Sequence, residues 1–119
     1  MTKNKILIVD DEPHIRMLYR EEFEKLGYQC EEAETGQVAV KTMETITPDL
    51  IVLDIKMPDM DGLEFLTRLR KTYHKMPVIL CTAYSQHKQN LVSWAADRYI
   101  IKSGDLTELV CSVKELLPL

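Results

Sequence analysis

Apolar residues follow two rhythms in this sequence. Solid runs rich in β-branched residues occur at KILIVD (5–10), DLIVLD (49–54) and PVILCT (77–82). A run apolar at every position marks a strand covered on both faces. YQCEEA (28–33) is more polar and reads as a strand at or near a sheet edge, and RYII (98–101) reads as a short fifth strand. Elsewhere apolar residues recur every three or four positions, which is helical spacing. Pro13 opens a first helix with Ile15, Leu18, Tyr19, Phe23 and Leu26 as its stripe, and Gly27 stops it. Thr35 caps a second, with Ala39, Met43 and Ile46 inward and Pro48 as its breaker. Leu63, Leu66, Leu69 and Tyr73 line a third. A fourth is predicted over 85–96, with Leu91, Trp94 and Ala95 on one face. Asp105 caps the last, whose stripe of Leu106, Leu109, Val110, Val113, Leu116 and Leu117 is the clearest in the chain.

Strand and helix therefore alternate five times. That order predicts an α/β domain over residues 1–119, doubly wound, with helices on both faces of a parallel sheet and right-handed crossovers. In such sheets ligands collect beyond the carboxyl ends of the strands, where the strand order reverses. The length of 119 residues suits one domain with one core.

Charge and composition narrow the function. A net charge of −4 argues against a duplex-binding face, so no direct nucleic-acid contact is expected. No apolar run approaches a membrane span, and MTKNKILIVDDEP lacks the long apolar core of a signal peptide. A cytoplasmic protein is expected. Cys30, Cys81 and Cys111 are an odd count at wide spacings, and read as reduced, small apolar residues. His14, His74 and His87 are scattered and read as surface residues.

The unusual polar residues all fall at one kind of place. Asp10 and Asp11 follow the first strand, Asp54 ends the third, Thr82 ends the fourth, and Lys102 follows the fifth. A parallel sheet brings these ends to one edge. On their own, Asp10 and Asp11 serve equally as acidic groups at a helix N-terminus. With Asp54 and Lys102 beside them, a cation site accounts for more. Three carboxylates repel one another, and a divalent ion relieves that. Oxygen donors without His or Cys favour Mg²⁺ or a relative such as Mn²⁺ over zinc. Lys102 adds a point charge suited to a phosphate. A carboxylate, a metal and a lysine around one point suit phosphoryl transfer to an aspartate, Asp54.

ILIVDDEP, GYQCEEAETGQVAV, PDLIVLDIKMPDMDG, PVILCTAY and YIIK, in that order and spacing, resemble the receiver domain of bacterial two-component response regulators. Asp54, Met57, Pro58 and Gly62 meet its D-x-x-M-P-x-x-x-G pattern. The resemblance covers the whole chain. It implies the flavodoxin-like (βα)5 three-layer sandwich with strand order 2-1-3-4-5. It implies Asp54 as phosphoacceptor, Mg²⁺ held by Asp11, Asp54 and the backbone carbonyl of Lys56, and Asp10 acting through metal-bound water. Lys102 would pair with the carboxylate and then the phosphoryl group, and Thr82 would hydrogen-bond a phosphoryl oxygen. Tyr99 would turn inward as Thr82 moves, so that the face built from the fourth helix, fifth strand and last helix switches. Lys56 and Tyr84 occupy positions that tune water access and hence phosphoaspartate lifetime. The implied partner is a sensor histidine kinase or a histidine phosphotransfer protein, and the domain would also dephosphorylate itself. It would be a signalling domain rather than an enzyme in the usual sense. A homodimer through the switching face stays open, as does the downstream target.

Two departures stand out. Ser103 takes the place of the usual proline after the lysine, so a cis bond there would cost about 2.5–4 kcal/mol, and a trans bond would hold Lys102 differently. AADR replaces the usual Gly-Ala before the fifth strand, which predicts an irregular fourth helix. A nucleotide or flavin module would need a Gly-rich turn where DDEPH stands. An aspartyl phosphohydrolase would need a second acid where IKMP follows Asp54. A receiver-like module that only binds partners, without phosphorylation, is the remaining alternative. Ending at ELLPL fits both a standalone receiver and a piece of a longer protein.

Overall fold

The computed structural model describes residues 4–83 and 95–119. The described residues form five strands and four helices, in the order β1 (Lys5–Val9), α1 (Pro13–Lys25), β2 (Gln29–Ala33), α2 (Gly36–Thr42), β3 (Leu50–Leu53), α3 (Gly62–Thr72), β4 (Val78–Thr82), β5 (Arg98–Ile101) and α4 (Thr107–Leu116). The sheet is parallel throughout, in the order β2-β1-β3-β4-β5. The polar strand β2 is an edge, as its composition predicts.

The solid apolar runs are explained by a core on each side of the sheet. Leu7, Val9, Ile51, Leu53, Val78 and Leu80 pack on one side, with Phe65, Leu66 and Leu69 of α3. Ile6, Ile8, Leu50, Val52, Ile79 and Cys81 pack on the other, with Tyr19 and Phe23 of α1 and Leu109 and Val113 of α4. Successive strand residues point to opposite faces, so both faces can be buried only if both sets are apolar.

The helix ends follow local chemistry. Pro13 stands at the start of α1. Gly27 ends it with φ +103°. The N–H of Gly27 donates to the Glu24 carbonyl and that of Tyr28 to the Phe23 carbonyl, each at 3.1 Å, the paired closure that a left-handed residue permits. Thr35 caps α2, its hydroxyl accepting from the Val38 N–H at 3.1 Å. Replacing Thr35 with Ala is expected to cost about 1 kcal/mol in urea denaturation; an unchanged midpoint would assign that helix end to other contacts.

Several expectations need correction. Leu18 is 41% exposed and lies outside the core, so the buried stripe of α1 is narrower than predicted. The second helix ends at Thr42, well before Pro48; Met43 is its C-cap and Ile46 lies beyond it. There the N–H of Thr45 and Ile46 turn back to the Thr42 carbonyl. Leu106, not Asp105, is the N-cap residue of α4. Asp105 instead accepts from the N–H and hydroxyl of Thr107 in a turn just before the helix. Cys30 and Cys81 are buried, but Cys111 is exposed. The Lys102–Ser103 bond is trans, like every peptide bond described. The fourth helix predicted over 85–96 lies almost wholly outside the described residues, as do His87 and Tyr84. Among the described residues no helix is long and apolar enough to cross a membrane.

Candidate functional site

The sheet's own hydrogen bonds deliver the polar residues. Val9 pairs with Leu53, so Asp10 and Asp54 are the next residues of neighbouring strands. The Asp10 N–H donates to the Ala33 carbonyl at 3.1 Å, and the Asp54 N–H to the Val9 carbonyl at 2.9 Å. The Lys102 N–H donates to the Thr82 carbonyl at 2.6 Å. The pairing thus runs one residue past β1, β3 and β5, and holds these three backbones before any side chain is placed.

Asp10 and Asp54 are buried and Asp11 is exposed. One carboxylate oxygen from each lies within 4.8 Å of the others, the single such acidic trio among the described residues. Lys102 reaches back over the strand ends. Its Nζ is 2.8 Å from Asp10 Oδ2 and 3.5 Å from Asp54 Oδ1. The shorter contact goes to Asp10, whereas the sequence reading pairs the lysine with Asp54. Asp10 Oδ1 also accepts from the Glu12 N–H at 3.0 Å, and Asp54 Oδ1 from the Ile55 N–H at 2.9 Å.

The electrostatics follow from this crowding. Burial, and then the charge of Asp10, push the Asp54 carboxyl up to about 7, with Lys102 pulling the other way. Burial opposes the charge of Lys102, but the hydrogen bond to Asp10 and the charges of Asp10 and Asp54 hold its ammonium above the usual lysine range. One ammonium, in contact with Asp10 and Asp54, therefore cannot neutralise a cluster of three carboxyl groups. The donor set is oxygen only, closely spaced and open to solvent at Asp11, which fits a hard divalent cation.

Of the remaining predicted residues, Thr82, Tyr99 and Lys56 are among the described residues and Tyr84 is not. Thr82 is fully buried at the end of β4. Tyr99 pairs with Leu80 and packs, half-buried, against the core on the α3 side. Lys56 is exposed and, with Asp11, Met57, Pro58 and Asp61, lines a shallow depression beside the acidic trio.

The loop after Asp54 is clamped at two points. Gly62 opens α3 against the chain at Asp54 and Ile55, and its N–H donates to the Ile55 carbonyl at 2.6 Å. Asp59 reaches across to α2, accepting from the N–H of Gly36 at 3.2 Å and of Gln37 at 3.0 Å. Against a desolvation effect, those N–H groups and the Thr35 hydroxyl hold the Asp59 carboxyl below its usual range. Sequence reasoning gives Asp59 no role, because its partners lie over twenty residues away. It reads Tyr19 only as part of an apolar stripe, whereas the Tyr19 hydroxyl lies 3.2 Å from Cys81 Sγ. Burial first, and then Cys81, raise that phenol far above its usual range.

Known proteins resemble this chain in sequence and in fold. Residues 6–114 match the family model described as the response regulator receiver domain. The sporulation initiation phosphotransferase F of Bacillus subtilis is 40% identical over 121 residues, covering 100% of this chain and 98% of that protein. The regulatory protein AtoC of Escherichia coli is 37% identical over 98% of this chain, which spans only 26% of AtoC. Among solved structures, the response regulator TrrA of Thermotoga maritima in complex with Mg²⁺–BeF superposes with a TM-score of 0.92 at 46% identity, covering 96% of this chain and 99% of TrrA. TrrA in complex with the histidine kinase ThkA gives 0.89 at 45% identity, covering 96% and 98%. The match to the family model over nearly the whole chain, together with the shared fold and strand order, means that this chain belongs to the response regulator receiver domain family of two-component signalling proteins.

Proposed function

We propose that this chain is a phosphoacceptor switch over residues 1–119, in which Asp54 receives a phosphoryl group from a phosphohistidine. The donor would be a sensor histidine kinase or a histidine phosphotransfer protein in the cytoplasm. The solved complex of TrrA with the kinase ThkA supports a kinase partner. The observation that carries the reading is the meeting of Asp10, Asp11 and Asp54 beneath one lysine.

Mg²⁺ fits the site, with Asp11, Asp54 and the Lys56 carbonyl as its protein ligands and Asp10 acting through water; the Mg²⁺–BeF complex of TrrA supports the choice of metal. When bound, the cation supplies charge neutralisation, both for the crowded carboxylates and for the incoming phosphoryl oxygens. The chain's own groups do the rest. Asp54 Oδ1 is engaged by the Ile55 N–H and faces Lys102, so Oδ2 is the attacking oxygen. A new O–P bond forms as the P–N bond of the phosphohistidine breaks, and the imidazole leaves with that electron pair. Lys102 turns from the carboxylate to the phosphoryl group, and the Thr82 hydroxyl donates to a phosphoryl oxygen. The added charge and acceptors draw Thr82 and bias the β4–β5 side, with Tyr99 following, between two packings of one fold. Water later attacks the phosphorus, the O–P bond to Asp54 breaks, and inorganic phosphate leaves as the Asp54 carboxylate is regenerated. Lys56 would tune water access to that bond, and so would Tyr84, which follows Thr82 by two residues in the sequence.

The test uses acetyl phosphate as donor. With Mg²⁺, the intact mass of the wild-type chain should rise by one phosphoryl group. Asp54→Asn should gain none, and chelation of the metal should abolish the gain. Equal labelling of wild type and Asp54→Asn would end this reading.

A further inference from the structure

We propose that Arg16 is a positioning residue for the acidic turn after β1, and that Glu32 holds Arg16 in place for this task. The proposal rests on the reading of that turn as a cation site. Arg16 lies on the first turn of α1, three residues after Pro13. Helical side chains lean toward the N-terminus, so Arg16 points back over the turn that precedes its own helix. Its Nη1 donates to the Asp10 carbonyl at 2.7 Å and its Nε to Glu32 Oε1 at 3.0 Å. The side chain is only 14% exposed, so the contacts form with little competition from water.

Glu32 is shared. Its other oxygen lies 2.9 Å from Nε of Arg20, a charge contact not aligned as a hydrogen bond. Arg20 Nη2 in turn donates to the Cys30 carbonyl at 2.6 Å. Two arginines of α1 therefore grip one carboxylate of the edge strand β2, and one of them passes the grip on to the backbone of Asp10.

The consequence concerns the peptide between Asp10 and Asp11. The N–H of Asp10 is tied to the Ala33 carbonyl of β2, and its carbonyl is tied to Arg16 of α1. The backbone of Asp10 is thus held from both sides. Its carbonyl belongs to the peptide that leads into Asp11, so fixing that plane limits where the Asp11 carboxylate can swing. Such a restraint matters because the three carboxylates repel each other before a cation arrives. Asp11 is the exposed member and the one most able to turn away. A lysine could supply the charge of Arg16 but not its planar fork, which contacts a carbonyl and a carboxylate at once.

The experiment is calorimetric titration of the whole chain with Mg²⁺ at neutral pH, with thermal melts of each variant. Glu32→Gln touches nothing in the acidic turn, yet should weaken Mg²⁺ binding about tenfold, as loss of an orienting partner does at metal sites. Arg16→Met should do the same, and Arg16→Lys should follow Arg16→Met rather than wild type. The double variant Arg16→Met/Glu32→Gln should be no weaker than the worse single variant, because both changes break one linkage. Wild-type Mg²⁺ affinity in Glu32→Gln would overturn the proposal alone, whatever its melting temperature, and so would an Arg16→Lys variant that binds like wild type. Absence of Mg²⁺ binding by the wild-type chain would overturn the cation-site reading, and this proposal with it.

Discussion

In metal-free buffer near pH 8, Asp54→Asn is expected to be more stable than the wild-type chain by about 2–4 kcal/mol. Burial and the neighbouring Asp10 raise the Asp54 carboxyl from 3.8 to about 7. Between those two values the folded state binds a proton more tightly than the unfolded state does. Asp54 therefore supports folding while protonated, at low pH, and that support is lost as pH rises through about 7. Above it, the folded chain carries a buried charge that Lys102 only partly offsets. Asparagine has nearly the same shape and cannot ionise. The gap between variant and wild type should close toward pH 4, and should also shrink on adding Mg²⁺, which stabilises whichever chain binds it. Urea denaturation at both pH values, with and without Mg²⁺, reads this directly. Equal stability of the two chains at pH 8 without metal would mean that the carboxylate is not held under electrostatic stress. The same substitution abolishes the proposed phosphoryl uptake, so a more stable protein with no function is the signature expected of this site.

Gly62→Ala is expected to lose about 3 kcal/mol or more, toward the upper end for a single methyl in a packed place. A Cβ at Gly62 would overlap the carbonyl oxygen of Asp54, and would lie 2.9 Å from Ile55 Cα and 3.0 Å from the Asp54 carbonyl carbon. All three are backbone atoms, so no side chain can rotate aside. Either α3 shifts outward, breaking the 2.6 Å contact from the Gly62 N–H to the Ile55 carbonyl, or the end of β3 moves and takes Asp54 with it. Stability and acetyl phosphate labelling should therefore fall together. Gly104 supplies the control, since a Cβ there meets nothing within 4 Å and Gly104→Ala should change little. Similar denaturation midpoints for the two variants would contradict the clash.

Most of the fold could be read from local pattern. Runs such as ILIV and LIVL are apolar on alternate faces at once, and only a strand covered on both sides tolerates that. Pro13, Gly27 and Thr35 act through their own backbone or the next few residues, so their roles survive translation from sequence to structure. The errors came where a local rule competed with packing. Leu18 fits the helical period of α1, yet it stays largely exposed and outside both core clusters. Ile46 continues the rhythm of α2, but the helix has already ended at Thr42.

Local chain chemistry is enough to put Asp10, Asp54, Thr82 and Lys102 at the carboxyl ends of strands, because strand length and alternation are set by neighbours in the chain. How these residues are shared out depends on the docking of distant segments. That docking gave the lysine's shorter contact to Asp10, tied Asp10's carbonyl to Arg16 and Glu32, and sent Asp59 to cap a helix over twenty residues upstream. Those bonds join segments with no common period, and they exist only once α1 and α2 have docked on the sheet. Local propensity is encoded residue by residue, whereas the aim of a charged side chain depends on where a distant backbone comes to rest.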